Sequence, residues 1–130
     1  MRLLISMVEA ADRSPEVGPS ARLLGVRPAN RSTPDVPAVY PQDVLGPGQG
    51  GMSVAPDDPM RLTRHRRPAS LGGIGQDPVW VLDVDDLGPL LQFRQDGTTH
   101  GIIEPKAPMT FQDYLKALGA LRTRWRLHCR

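Results

Sequence analysis

The chain has 130 residues, 39% of them hydrophobic and only 5% aromatic, with 13 glycines and 14 prolines. That length allows one domain with a small, mainly aliphatic core, and the composition excludes a large multidomain enzyme, a coiled coil, a collagen-like fibre and a disulfide scaffold. Sixteen basic residues against 14 acidic ones nearly cancel, so no strong global field draws the molecule onto nucleic acid or anionic lipid.

Among the basic residues only Lys106 and Lys116 are lysines; the rest are arginines. Cys129 is the only cysteine, which rules out an intramolecular disulfide and makes a reducing compartment the default. Met1 to Val8 imitates the start of a signal peptide, but Glu9 interrupts after six mostly apolar residues, short of an export signal's apolar region. Nothing approaches the roughly 18 to 20 apolar residues of a membrane span. The expectation is a soluble, cytoplasmic chain in which residues 1–20 are a flexible lead and residues 21–130 a single domain.

Short apolar clusters at Ala21 to Val26 and Val36 to Leu45 precede a stretch, Asn30 to Met60, that proline makes mostly irregular, because each proline removes a backbone donor and restricts its predecessor. Gly46-Pro47-Gly48-Gln49-Gly50-Gly51 leads to Met52-Ser53. Successive unencumbered N–H groups there could approach a phosphate, although the lysine and hydroxyl of a P-loop are missing. Arg61 to Arg67 is the densest positive run, with no aromatic residue interleaved to stack bases. Val79 to Val84 reads as a strand. Leu90 to Gln95, Asp96-Gly97 and Thr98 to Glu104 read as a hairpin with a two-residue turn. That register sets Gln95 opposite Thr98, Phe93 opposite His100 and Leu91 opposite Ile102. Thr110 to Asp113 has capping-box spacing. Phe111, Tyr114, Leu115, Leu118, Leu121 and Trp125 then share one helical face as far as Trp125. Strands followed by one strong helix, without βαβ alternation, predict an α+β fold.

On the predicted hairpin His100 leans into the apolar side of the sheet, where a hydrogen-bonded structural histidine is the commoner outcome. Glu104 shares its face about 13 Å away at roughly 3.3 Å per residue, too far for a direct pair. His65, His100, His128 and Cys129 show no metal-ligand spacing, and Asp83, Asp85 and Asp86 read as strand-end solvation rather than a cation site.

Taken in order, Val36-Pro37-Ala38 with Asp43-Val44, Gly50-Gly51-Met52-Ser53-Val54, Arg94-Gln95-Asp96, Thr99-His100 with Ile103, Pro105 and Pro108-Met109, and the closing helix through Arg124-Trp125 resemble a bacterial toxin family. It is the family of the second exported effector of the type VI secretion system, whose members are similar in fold to ADP-ribosyltransferases. The resemblance runs from about residue 22 to residue 127. It implies a compact α+β fold in which two small antiparallel sheets form a cleft for NAD, and a cognate immunity protein or antitoxin that covers the cleft. It assigns Ser53 to holding the nicotinamide ribose or to bracing a catalytic carboxylate by a hydrogen bond, and Thr99 and His100 to NAD. Arg22 and Arg27 compete for the basic residue that holds the dinucleotide. Met52 stands where the family has a threonine, removing one hydroxyl from the expected cleft. Glu104 sits where wider ADP-ribosyltransferases carry the carboxylate that stabilises an oxocarbenium-like centre. The expected catalytic set is therefore Ser53, His100 and Glu104, and the expected cofactor-binding set Arg22, Arg27, Ser53, Thr99 and His100. A second reading, from another class, is a nucleic-acid-directed toxin or RNA-binding module using Arg61 to Arg67. A third is a catalytically silent module that only binds its neutralising partner, kept open by Met52.

Overall fold

Leu3, Leu4 and Ile5, expected in a loose lead, occupy the middle of the main sheet of the computed structural model, which describes residues 1–130. Strand β1 (Arg2–Ser6) pairs along its whole length with β4 (Val79–Asp83) and, through Leu3 and Leu4, with β3 (Met52–Pro56). Outside β3 lie β6 (Gly101–Pro105) and then β5 (Leu91–Gln95); outside β4 lies β8 (Arg126–Cys129). Every neighbouring pair is antiparallel. A separate two-stranded ribbon joins β2 (Val44–Leu45) to β7 (Met109–Thr110). With one helix, α1 (Phe111–Gly119), this is the expected α+β class.

Two expectations about the beginning of the chain are corrected. The apolar run at Leu3 to Ile5 is not a loose lead but a central strand, because it is hydrogen-bonded on both edges and buried on both faces. Residues 8–24 are also tied down: Val8 N–H donates to the Arg22 carbonyl, Glu16 N–H to Val8 and Leu24 N–H to Glu16, at 2.7 to 2.9 Å. Nor do two comparable small sheets flank a cleft. There is one six-stranded sheet and a minor ribbon. Strand β3 nonetheless divides the large sheet, pairing with β6 through Met52 to Val54 and with β1 through Ala55 and Pro56.

One sheet face carries the core. Leu3, Ile5, Val54, Trp80, Leu82 and Ile103 alternate onto it and meet Phe111, Tyr114 and Leu118 from α1. Thr110 caps the helix as the sequence predicts, its hydroxyl accepting from Asp113 N–H at 3.2 Å. The helix is shorter than its apolar periodicity suggests. After Gly119 the chain passes through turns that still bury Leu121 and Trp125, and it ends as β8 rather than as helix. Leu4, Ser6, Ala55 and Ile102 alternate onto the opposite face and are also buried. Over this face lies the arginine-rich segment 59–71, three short 3-10 turns tied down by Arg61 to the Pro56 carbonyl at 3.0 Å and by Arg66 to the Ser6 carbonyl at 2.9 Å.

The hairpin forms in a different register. Gln95 faces Gly101, Phe93 faces Ile103 and Leu91 faces Pro105. Asp96 to His100 form a wider loop, closed by Asp96 N–H to the His100 carbonyl at 3.2 Å. Neither Asp96 nor Gly97 adopts the positive φ that a tight two-residue turn requires. A shift of three positions is odd, so it reverses the faces of β6. Ile103 joins Leu91 and Phe93 on the core side, and Glu104 escapes it. The predicted register would have put both His100 and Glu104 into that apolar layer, where unpaired polar groups are costly.

Candidate functional site

Ser53 follows Met52 on β3, and strand alternation sends the two side chains to opposite faces. Met52 is buried in the core, whereas Ser53 is exposed on the arginine-covered face. There it lines a cleft of about 320 Å³. Thr99 and His100 reach the same cleft from the β5–β6 loop, and Arg27 with Asp35 close it from the segment before β2. Arg61, Thr63 and Arg66 form the remaining polar wall. Ser53, Thr99, His100 and Arg27, four of the six expected site residues, therefore converge although far apart in sequence.

Each has a defined partner set or none. His100 is not packed against Phe93 but half exposed, with Nδ1 at 2.6 Å from Asp96 Oδ1. Nε2 makes no hydrogen bond within the chain. Arg27 is committed to Asp35, which accepts from its Nε at 3.2 Å and its Nη2 at 3.0 Å, while Nη1 donates to Thr33 Oγ1 at 2.7 Å. The hydrogen bond to Asp35 raises the Arg27 pKa further above its ordinary value. Its charge is thus largely answered inside the protein. Arg61 and Arg66 are different: each donates once to a backbone carbonyl, and neither forms an ion pair.

Arg22 and Glu104 fall outside the cleft. Arg22 projects to the surface and forms a two-pronged pair with Asp77, at 2.8 Å for each bond, which ties the segment before β2 to the turn ahead of β4. Glu104 is sealed beneath the glycine loop. Its carboxylate accepts from Gly48 N–H at 3.0 Å, Gln92 Nε2 at 2.8 Å and Arg94 Nε at 3.0 Å. Burial alone would push its pKa up, but these three donors together hold it below the usual carboxylate range. It acts as a structural anchor.

Of the loop's glycines, Gly48 serves that anchor, and two others lie close against neighbouring backbone. Gly50 has φ +112°, and a Cβ there would lie 2.3 Å from the Asp35 carbonyl oxygen; one at Gly51 would lie 2.3 Å from that of Ile103. Side chains are excluded because the loop's backbone presses against its own protein. Met52 packs in the core and, with Ile5 and Val54, also borders the cleft, so the position expected to carry a hydroxyl is filled by a thioether.

Sequence reasoning missed the joining of the basic run to this site. The 3-10 turns divide the run: Arg61 and Arg66 line the cleft, Arg64 and His65 stay exposed, and Arg67 donates back to the Leu71 carbonyl at 3.2 Å. The density of arginine was the visible signal, but its destination depends on how 59–71 folds over the sheet. The cleft can bind anionic and hydroxyl-bearing groups. No group of three or more His, Cys, Asp or Glu side chains is arranged to hold a metal ion, and no helix is long and apolar enough to cross a membrane. Comparison with known proteins finds no matching family model, curated protein or solved structure.

Proposed function

We propose that this chain is an NAD-dependent bacterial toxin of ADP-ribosyltransferase-like fold, acting in the cytoplasm and neutralised by an immunity protein or antitoxin that covers the cleft. The observation that carries this reading is the convergence of Ser53, Thr99, His100 and Arg27 on one cleft. These are positions that the toxin-family resemblance marks, and they come from separate parts of the chain. The change of partner along β3, from β6 at Met52 to Val54 to β1 at Ala55 and Pro56, lies just beyond Ser53 and opens the sheet beside it.

In this reading Ser53 hydrogen-bonds the nicotinamide ribose. The Asp96 carboxylate orients the His100 ring, and Nε2 is turned to a ribose hydroxyl or the amide oxygen. Breaking the nicotinamide glycosidic bond develops positive charge on the ribose, which a fixed carboxylate stabilises electrostatically. Asp35 is the carboxylate lining the cleft, so this role passes to it from Glu104. The test is induction in bacteria with growth and cellular NAD followed together. Wild type arrests growth with loss of NAD or with ADP-ribosylated targets, and Ser53→Ala and His100→Ala each relieve it. Arrest that survives both substitutions, or arrest with constant NAD and unlabelled targets, overturns the proposal. Binding of RNA that weakens steeply with salt would instead favour the nucleic-acid reading.

A further inference from the structure

The lining of the cleft is electrostatically unbalanced. Three guanidinium groups, Arg27, Arg61 and Arg66, face one carboxylate, Asp35, and that carboxylate is already held by Arg27. Arg66 is partly buried, and of the five N–H donors a guanidinium carries it uses one, to the Ser6 carbonyl. Arg61 likewise donates only to the Pro56 carbonyl. Desolvation pulls the Arg66 pKa below the ordinary arginine value, in contrast with the carboxylate-paired Arg22, Arg27 and Arg130, which are all raised. The carboxylates near Arg66, Asp77 and Asp35, are already held by Arg22 and Arg27; a partly buried cation with no carboxylate of its own is costly unless a ligand supplies one, and a guanidinium fork matches phosphate oxygens in pairs.

We propose that Arg66 and Arg61 form the seat for the diphosphate of a nucleotide ligand in this cleft, in place of the Arg22 or Arg27 that the resemblance assigned. The inference rests on the reading of the cleft as an NAD site and specifies how the dinucleotide lies in it: the diphosphate against segment 61–66, the nicotinamide ribose toward Ser53 and His100. A small nucleotide is favoured over a nucleic-acid strand because the cleft is about 320 Å³ and no Phe, Tyr or Trp lines it to stack successive bases.

Calorimetric titration of the full chain with ADP, and separately with nicotinamide riboside, which carries no diphosphate, tests this. Arg66→Gln weakens ADP binding by at least about tenfold, the value of a charge-assisted hydrogen bond, and leaves nicotinamide riboside binding unchanged. Arg61→Gln acts in the same direction. Thermal melts verify folding, and if Arg66→Gln does not fold, Arg61→Gln and Arg66→Lys carry the comparison. Equal ADP affinity in wild type and the folded variants, or wild-type binding of a short RNA but not of ADP, overturns the seat. ADP binding through Arg66 with no loss of NAD in cells supports the seat and removes the toxin reading. Ser53-dependent NAD loss unaltered in both arginine variants does the reverse.

Discussion

Glu104 receives hydrogen bonds from a backbone N–H, an amide and a guanidinium while almost no part of it reaches solvent. Glu104→Gln keeps the shape but replaces a charge-assisted anchor by a neutral one. It is expected to lower stability at neutral pH by roughly 1 to 3 kcal/mol, measured by urea unfolding. Because the folded pKa lies below the ordinary value, the carboxylate's contribution is fully present above the usual glutamate range. It is lost as pH falls through the folded value. The gap between wild type and Glu104→Gln should therefore narrow in acid, and a gap independent of pH would contradict the assignment. Sequence reading found the unusual carboxylate but gave it the wrong task. Ile102 and Ile103 are equally apolar, so nothing local decides which faces the core, and that choice sets where Glu104 points.

Helix α1, packed on the sheet by Phe111 and Leu118, also hydrogen-bonds it through one buried hydroxyl. Tyr114 Oη donates to the Ile103 carbonyl at 2.6 Å and accepts from Met52 N–H at 3.1 Å, bridging β6 and β3 one residue before Ser53. Burial pushes this phenol far above its ordinary pKa, so it stays a neutral donor. Tyr114→Phe strands two buried backbone groups and is expected to cost roughly 2 kcal/mol or more, read as a lowered denaturant midpoint. Amide exchange at Met52 and Ile103 should accelerate before that of Trp80 and Leu82. Uniform acceleration would mean the hydroxyl does not hold this seam. The capping box and apolar spacing made α1 legible, since both are local signals. Its end was not, because Leu121 and Trp125 bury equally well from turns once β8 docks against β4.

For the molecule as a whole, the order β5-β6-β3-β1-β4-β8 places the first strand between partners that follow it by some fifty and eighty positions. Deletion of residues 2–7 removes the ladder shared by β3 and β4, together with the Met7 carbonyl that accepts from Trp80 Nε1 at 2.9 Å. The truncated chain is expected to lose its folded state entirely, seen as collapse of amide chemical-shift dispersion. A truncated chain that remains dispersed and cooperative would show that the sheet does not depend on β1. The same topology assembles the cleft, because strand, hairpin loop and the 59–71 turns contribute to it from separate stretches of sequence.

The glycine and proline content, the β-rich run at Val79, the paired runs around Asp96 and the Thr110 cap determined by themselves that this is a small α+β chain with one amphipathic helix after the hairpin. Each rests on neighbours a few residues apart. Tertiary structure alone decided that Leu3 to Ile5 is a central strand, that the hairpin shifts by three, and that Arg66 rather than Arg22 stands in the cleft beside Ser53. Strands of two to five residues are too short to hold themselves and form only when distant partners satisfy their backbone groups. For the same reason, the destination of an arginine is set by the carboxylate or carbonyl that folding brings to it.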